Sequence, residues 1–288
     1  MGIPARLREM SGRYSLVDGI PFQLPVTCQP SPALMAAFPI DAGKAAALLP
    51  GGEIHPFRLW NRGLLVITVI HYLATNIGTY IEYSIAIACT HGRKRAPRLL
   101  PALLLKHYGT GQYVFDLPVS TEISVKGGKG IWGMPKHQAS LDFKISDTMV
   151  SSQYDLDGQL AMLIEVDRPG KSWLPLNVGT ANYCGFRGLL MKSYIYFKGH
   201  AALGLLGKAS ARLTIGPHPR LAPLKQLDIA PRPIFTAFIP DAVGLLDDYF
   251  ESWFLSFPTA PTSPPEGLES VAQLGLAQVW PPPPTAGR

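Results

Sequence analysis

Short runs of β-branched and aromatic residues, separated by glycine, proline and asparagine, recur along most of the chain. Residues 64–73 and 79–89 are two such runs, and the polar segment 76–78 between them is suited to a turn. Residues 150–154 and 160–166 flank an Asp-Gly pair, which is a strong hairpin signal. Further strands are predicted at 21–26, 113–124, 139–145, 188–198, 211–215 and 233–239.

Two segments instead have the pattern of a helix. Residues 41–49 begin with Asp41, a favourable N-cap, and end before Pro50. Residues 241–254 place Leu245, Leu246, Tyr249 and Trp253 on one face of an amphipathic helix. Residues 1–20 have neither pattern and are predicted to be irregular. Many strands with few short helices predict a mainly β (α+β) fold with a curved, barrel-like antiparallel sheet.

The composition changes after Phe257. Residues 258–265 contain only Thr, Ala, Pro and Ser, and residues 281–284 are four consecutive prolines. We therefore predict one folded domain over residues 1–257 and a mostly extended, Pro-rich tail over residues 258–288. Within the tail, Leu268 to Val279 is an alternative candidate for a short docking helix.

The bulk composition favours a well-packed globular protein. Hydrophobic residues make up 47% of the chain and charged residues 16%. The net charge is +6, but the basic residues are scattered, and the densest cluster is His91–Arg95 followed by Arg98. We interpret this cluster as a solvated loop, with an anionic ligand or nucleic acid as alternatives, and predict no nucleic-acid partner.

The segment Gly63–Ile81 is free of formal charge and nearly long enough to span a bilayer. It contains His71 and Asn76, and its Val, Ile, Thr and Tyr content suits strands. We therefore predict no membrane span. The charges at Arg6, Arg8 and Glu9 are not followed by an apolar run, so the sequence predicts no signal peptide.

Three cysteines, Cys28, Cys89 and Cys184, lie far apart in the chain. Their spacing suggests neither a disulfide nor a metal site, and we predict a reducing, cytoplasmic location and no metal. The run Gly127–Gly130 looks like a phosphate loop but lacks the Gly-Lys-Ser/Thr ending, so a nucleotide site is not predicted.

The most informative run is Gly-Lys-Gly-Ile-Trp-Gly-Met-Pro-Lys-His at residues 128–137. Lys136 follows a proline, and Trp132 and Met134 are suited to form a dry wall beside it. Burial in such a wall disfavours the charged amine, so a nucleophilic amine becomes available near neutral pH. A free amine attacks a ketone and forms an imine. The alternative is an ordinary surface lysine on a loop.

This run resembles the signature of the acetoacetate decarboxylase superfamily, which is approximately Gly-Arg-Glu-x-x-Gly-Phe-Pro-Lys-Lys. Gly128, Gly133, Pro135 and Lys136 fall in register with it. The resemblance implies that Lys136 forms the imine. It also implies a curved β-barrel-like core, a homo-oligomer, a small keto-acid substrate and no cofactor.

The likeness extends over about residues 14–255. Gly78–Glu82 is similar to the Gly-x-Tyr-x-Glu strand of the family, which implies that Glu82 is an acid or base near the imine. Weaker similarity occurs at residues 147–150, 211–213, 218–219 and 221–224.

Several positions depart from the family pattern. His137 replaces the second lysine, so another cation, Lys129 or Lys126, would have to assist the amine. The second acidic position of the family corresponds to Ile67, and its early arginine corresponds to Gly19 or Ile20. Candidate replacements for the missing carboxylate clamp are Arg187 and Arg212.

His71 lies one predicted strand from Glu82, where it is either a packed core residue or a proton shuttle. Taken together, the residues predict a lysine-imine enzyme that decarboxylates a β-keto acid. The alternatives are an aldolase or dehydratase acting on a keto acid in the same pocket, and a ligand-binding protein without turnover. The missing arginine and glutamate keep these alternatives open.

Overall fold

The computed structural model of the protein describes residues 13–168 and 173–260. The candidate docking helix Leu268–Val279 and most of the predicted tail lie outside the described residues. The division into a domain and a tail therefore stays a prediction.

Strands dominate the described residues. The strands of the first half are β1 Arg13–Val17, β2 Ile20–Leu24, β3 Val26–Asp41, β4 Ile54–Pro56, β5 Arg62–Tyr72, β6 Tyr80–His91, β7 Gly111–Val119 and β8 Lys136–Gln138. Those of the second half are β9 Ser140–Leu141, β10 Lys144–Ile145, β11 Met149–Leu156, β12 Gln159–Asp167, β13 Trp173–Phe186, β14 Leu189–Leu205, β15 Ala211–Ile215 and β16 Phe235–Phe254. The helices are α1 Ala42–Ala46, α2 Leu100–Leu103 and α3 Glu122–Trp132, with 3-10 helices at Leu206–Lys208 and Pro219–Gln226.

Seven strands close into a barrel in the order β6-β5-β3-β16-β14-β13-β7, and β6 pairs with β7 to complete the ring. Most neighbours are antiparallel, but β7 runs parallel to β13 and to β8. The predicted curved β fold is therefore confirmed, with the refinement that the barrel is mixed. The pairing between β7 and β13 includes only two residue pairs, Gln112 with Asn182 and Tyr113 with Tyr183.

A second sheet, β10-β11-β12-β15 with β9 beside β11, packs against the barrel. Its apolar side chains, such as Val150, Tyr154 and Ile164, join the largest core cluster together with barrel residues such as Tyr83 and Ile85. Burial of this shared apolar surface is the main force that holds the two sheets together.

The register of the barrel defines two faces that matter for the site. Lys136 on β8 pairs with Leu117 of β7, while Glu82 on β6 pairs with Val119 of β7. Because Leu117 and Val119 are two positions apart, Lys136 and Glu82 lie on one side of the sheet. We call this side the lysine face, and the opposite side, which carries His137, the histidine face.

Two sequence predictions about the ends of the domain were wrong. Residues 241–254 belong to the long strand β16 instead of a helix. In the predicted irregular lead-in, residues 13–17 form β1, which pairs with β2, whereas the strand predicted at 21–26 corresponds to β2. The helix beginning at Asp41 is confirmed, because the Asp41 carboxylate accepts a hydrogen bond from the Lys44 backbone N–H, although the helix ends at Ala46.

The segment that carries the lysine motif also differs from the prediction. Strand β7 ends at Val119, and residues 122–132, predicted as the end of a strand and a loop, form α3. In the described part of the chain, no helix combines the length and the apolar character needed to cross a membrane. The charge-free segment Gly63–Ile81 forms β5, a turn and the start of β6.

Candidate active site

Helix α3 ends abruptly just before Lys136. Gly133 adopts a left-handed conformation with φ of 65°, and its N–H donates to the Lys129 carbonyl. The next N–H, that of Met134, donates to the Gly128 carbonyl at 3.0 Å, so both N–H groups bind carbonyls of the last helical turns. Pro135 follows and prevents the helix from continuing. The motif therefore acts as a helix stop that places Lys136 at the first position of β8.

The side chain of Lys136 is only 5% exposed on the lysine face, and its amine meets three polar or aromatic groups. Its Nζ lies 2.6 Å from Glu82 Oε2 and donates to Ser124 Oγ at 3.0 Å. The ring of Tyr80 lies 5.5 Å from the same Nζ. A buried amine therefore has a carboxylate within proton-transfer distance and a hydroxyl beside it.

Buried hydroxyl and thiol groups surround the pair. The Tyr80 side chain hydrogen-bonds Ser124, and the rings of Tyr80 and Tyr72 lie 4.7 Å apart. Burial, with the charge of Glu82 adding to it, raises the pKa of both tyrosines well above the ordinary value. Burial also raises the pKa of the Cys28 thiol to about 11. These groups therefore stay neutral at physiological pH, and the phenols are available as hydrogen-bond donors.

The three glycines of α3 allow close packing on two sides of the helix. A Cβ atom at Gly128 would lie 2.7 Å from Lys136 Cε, so only glycine leaves room for the lysine stem. A Cβ atom at Gly127 would lie 2.8 Å from Phe22 Cε1 of the hairpin β1–β2. A Cβ atom at Gly130 would likewise clash with the Val17 side chain. The glycine run is thus a packing device, and no phosphate loop forms here.

The predicted dry wall is present. Trp132 is 2% exposed and Met134 is 5% exposed, and both belong to a cluster that includes Leu117, the cross-strand partner of Lys136. The indole Nε1–H of Trp132 donates to the backbone carbonyl of Asp247 at 3.2 Å. Apolar side chains therefore cover the strand beside Lys136 and limit its contact with water.

His137 points away from the Lys136 amine because consecutive strand residues face opposite sides. Its Nε2 lies 2.9 Å from the Tyr154 hydroxyl of β11, and its Nδ1 lies 3.5 Å from Asp116 Oδ1. Burial, reinforced by the charge of Arg220, lowers the pKa of His137 to about 3. The histidine is therefore neutral and belongs to the interface with the second sheet.

The histidine face contains a buried charge network that sequence reasoning missed. Asp116 is 1% exposed, and its Oδ1 accepts a hydrogen bond from Arg220 Nε at 2.8 Å. Its Oδ2 accepts a hydrogen bond from the Tyr154 hydroxyl at 3.2 Å.

The two cations expected to assist Lys136 have other surroundings. Lys129 is half-buried, and burial together with Arg220 lowers its pKa. Lys129 is therefore directed to the network of Asp116 and Arg220. Lys126 instead lies 3.2 Å from Glu122.

The structure does not bring the other predicted residues to Lys136. His71 pairs with Ile81, so it lies on the opposite face from Glu82, with its ring 6.1 Å from that of Phe143. Arg212 is exposed on the second sheet and pairs with Glu165 at 2.7 Å. Arg187 is exposed at the β13–β14 turn, where its guanidinium stacks on Phe186. Packing is thus the role that the structure favours for His71.

The sequence contained partial signals for the residues that were missed. Ser124, Gly127, Gly128 and Trp132 are the buried residues of α3, at spacings of three, one and four. This spacing is that of one helix face, but the glycines lowered the apparent helix propensity. Tyr80 lies two residues before Glu82, so strand alternation places both on the same face.

Within residues 13–168 and 173–260, no group of three or more His, Cys, Asp or Glu side chains is arranged to hold a metal ion. All three cysteines are buried and free.

The family model described as acetoacetate decarboxylase matches residues 13–180. Among curated proteins, none matches the sequence.

Several solved structures share the fold at low sequence identity. The acetoacetate decarboxylase from Legionella pneumophila superposes with a TM-score of 0.56 at 15% identity, covering 85% of this chain and 95% of that chain. Another acetoacetate decarboxylase gives 0.58 at 13% identity, covering 80% and 90%. The enduracididine biosynthesis enzyme MppR, complexed with the condensation product of pyruvate and imidazole 4-carboxaldehyde, gives 0.51 at 13% identity, covering 82% and 90%.

Proposed function

Because the chain belongs to the acetoacetate decarboxylase family, we propose that it decarboxylates a β-keto acid through an imine formed on Lys136. The observation that supports this proposal is the buried Lys136 amine, which lies 2.6 Å from a carboxylate of Glu82 on the same face of the barrel. The reaction needs a neutral amine, and Glu82 is placed to take the proton from it.

In the proposed reaction, Nζ of Lys136 attacks the ketone carbon, and the resulting carbinolamine loses its hydroxyl as water with a proton from Glu82. The bond to the carboxylate then breaks, and its electron pair forms an enamine and neutralises the iminium nitrogen. Carbon dioxide leaves. The enamine carbon takes up a proton, and water hydrolyses the imine to release the ketone and the amine.

The environment of the amine favours loss of the carboxylate. The groups around it, Glu82, Ser124, Tyr80 and Tyr72, supply one negative charge and neutral hydroxyls. A substrate carboxylate next to Glu82 is poorly solvated and repelled, and converting it to neutral carbon dioxide relieves both effects.

The hydroxyl groups around the Lys136 amine also suit a second function. The arginines predicted to hold a carboxylate lie at the β13–β14 turn and on the second sheet, whereas hydroxyls surround the amine. Hydroxyls that bind a second carbonyl group suit aldol addition or dehydration of a keto acid through the same enamine.

Borohydride trapping tests the proposal. Acetoacetate should leave an isopropyl group on Lys136, which shows that carbon dioxide left before reduction. A carboxypropyl adduct on Lys136, or a condensation product formed from pyruvate and an aldehyde without release of carbon dioxide, would support the second function. Lys136→Arg should abolish trapping, whereas Lys129→Arg and Lys126→Arg should retain it. An adduct on another lysine would reject Lys136 as the nucleophile. No adduct with acetoacetate, acetopyruvate or pyruvate would reject the imine and favour a ligand-binding role.

A further inference from the structure

A cleft of about 830 Å³ has none of the residues that contact Lys136 in its lining. On one side it is lined by Met35, Ala37, Val66, Ala88 and Gln112. Cross-strand pairing aligns Ala37 with Val66, and Ala88 with Gln112. Along β6, Ala88 and Glu82 are an even number of positions apart, so their side chains lie on the same face. Along β5, Val66 is likewise an even number of positions from Ile70, which pairs with Glu82. This side of the cleft therefore belongs to the lysine face.

The other side of the cleft belongs to the opposite face. It is lined by Gly179, Ala181, Lys192, Tyr194 and Tyr196, among others. On β13, Gly179 and Ala181 lie on the same face as Tyr183, and the β14 partners of these three residues are Tyr196, Tyr194 and Lys192. Asn182, which pairs with Gln112 of the lysine face, points to the other side. The cleft therefore has lining residues on both faces of the barrel wall. The two sets of residues meet at the junction of β7 and β13, which share only two residue pairs, and we call this junction the β7–β13 passage.

The inner end of the cleft approaches the candidate catalytic pair. Met35 lines the cleft and belongs to a cross-strand row with Thr68 and Ser84, which are both half-buried. The next row is Ala33, Ile70 and Glu82. Successive rows on one face are about 7 Å apart along the strand. Met35 therefore lies one row along the sheet and two strands across from Glu82, a Cα separation of about 12 Å.

The size and lining of the cleft indicate what would occupy it. A volume of about 830 Å³ is that of a site for a molecule of drug size, much larger than a four-carbon acid. Two of the three charged side chains on its wall pair with each other, because Lys192 Nζ lies 2.9 Å from Glu251 Oε1, which also accepts a hydrogen bond from the Tyr194 hydroxyl. The third, Lys106, is exposed. The wall near the passage consists of uncharged residues, namely Gly109–Gln112 and Gly179–Ala181.

We propose that the cleft admits the substrate and holds its tail, so that the protein acts on a β-keto acid with a long alkyl or aryl-alkyl chain instead of on acetoacetate. The proposal rests on the proposed imine at Lys136 and names the substrate class for that site. The reacting carbonyl lies at Lys136, and the uncharged tail extends past Thr68 and Met35 through the β7–β13 passage.

The first experiment compares keto acids of increasing length by borohydride trapping at Lys136. The half-saturating concentration should fall at least tenfold from acetoacetate to 3-oxododecanoate, because each buried methylene strengthens binding about fourfold. Val66→Phe and, at the passage, Thr180→Phe fill the cleft and should remove most of this gain. Val243→Phe, a matched change at an exposed position of β16, should leave it intact. Equal half-saturation for both acids, or full length dependence in both cleft variants, would overturn the proposal.

The second experiment does not depend on the imine. Calorimetry of the unmodified protein with dodecanoate should detect binding that Val66→Phe weakens at least tenfold and Val243→Phe does not. Dodecanoate binding without any keto-acid adduct would reject the proposed imine but retain the cleft as a site for acyl chains. Trapping of short acids without dodecanoate binding would reject the cleft proposal alone. Thermal unfolding of each variant would identify a loss of binding that merely reflects misfolding.

Discussion

Lys136 and His137 are neighbours in the chain, yet they belong to two buried polar clusters with different properties. On the lysine face, one amine and one carboxylate meet among hydroxyls and apolar side chains. On the histidine face, Asp116, Arg220 and Tyr154 hold one another in fixed hydrogen bonds. The first cluster contains groups that can exchange a proton with a ligand, whereas the polar groups of the second bind one another between two sheets.

This difference shows why a family signature must be read with the fold. The second lysine of the signature occupies the position of His137, and on sequence alone it acts on the imine lysine through its charge. In this chain, strand alternation places position 137 on the far side of the sheet, beside Arg220 and Lys129. A cation at this position would meet two other cations, and a neutral histidine avoids that repulsion.

The largest effect is expected on the lysine face. Glu82→Gln removes the proton acceptor of Lys136 but keeps the shape of its side chain. Turnover of a β-keto acid should fall by roughly 10²–10⁴, the usual range for a positioned acid or base, while borohydride still traps the imine.

A matched control for this change is Glu165→Gln, which removes the carboxylate of a surface pair with Arg212. It should leave turnover unchanged. If Glu82→Gln turned over substrate at the rate of the unmodified protein, the carboxylate would have only a structural role.

A somewhat smaller effect is expected on the histidine face, and on stability instead of activity. Arg220→Met leaves the Asp116 carboxylate buried without its arginine, which should lower the free energy of unfolding by about 3–5 kcal/mol. The exposed pair provides the control, because water screens it and Arg212→Met should have a much smaller effect. Urea unfolding measures both. Equal losses in the two variants would show that the buried network is no more important than a surface pair.

The remaining effect on the histidine face is a difference in pH dependence. The pKa of His137 is about 3 in the folded protein, below its ordinary value of 6.5, so the unfolded chain binds more protons between these values. Stability from this residue is therefore complete above pH 6.5 and is lost as the pH falls towards 3. His137→Gln should remove a slope of up to about 1.4 kcal/mol per pH unit in that window.

Urea unfolding at several pH values between 7 and 4 would measure this slope, with the exposed His107→Gln as the control. Parallel curves for His137→Gln and the unmodified protein would mean that His137 gains a proton in the native state. The same preparations should show unchanged amine labelling of Lys136, since the two side chains face opposite sides of the sheet.

The sequence predicted strands best where hydrophobic alternation is regular. The strands near 64–73, 79–89, 150–154, 160–166 and 211–215 are all present. The segment 241–254 was assigned to a helix because Leu245, Leu246, Tyr249 and Trp253 follow a helical spacing. In the structure, β-bulges interrupt the pairing of β14 with β16 between Ser193 and Ile195, so the side chains of β16 lose their strict two-residue alternation.

The sequence located residues of the candidate site where one motif fixes the local geometry, but not where distant segments meet. Lys136, Glu82 and the dry wall were identified from short runs of sequence. Arg220 was not, because it contacts Asp116 across 104 positions of the chain. Ser124 was missed because the glycines of α3 concealed the helix that aims it at Lys136. No local pattern contains such long-range contacts.

The glycines of α3 have a consequence for how the protein reaches its native state. Each glycine lowers intrinsic helix stability by about 1 kcal/mol relative to alanine, so this eleven-residue helix has little tendency to form in isolation. Val17 and Phe22 of the hairpin β1–β2 fill the space that the glycine side chains leave open. The helix that caps Lys136 is therefore completed by a segment about a hundred residues earlier in the chain. Formation of the candidate site is thus coupled to docking of the N-terminal hairpin.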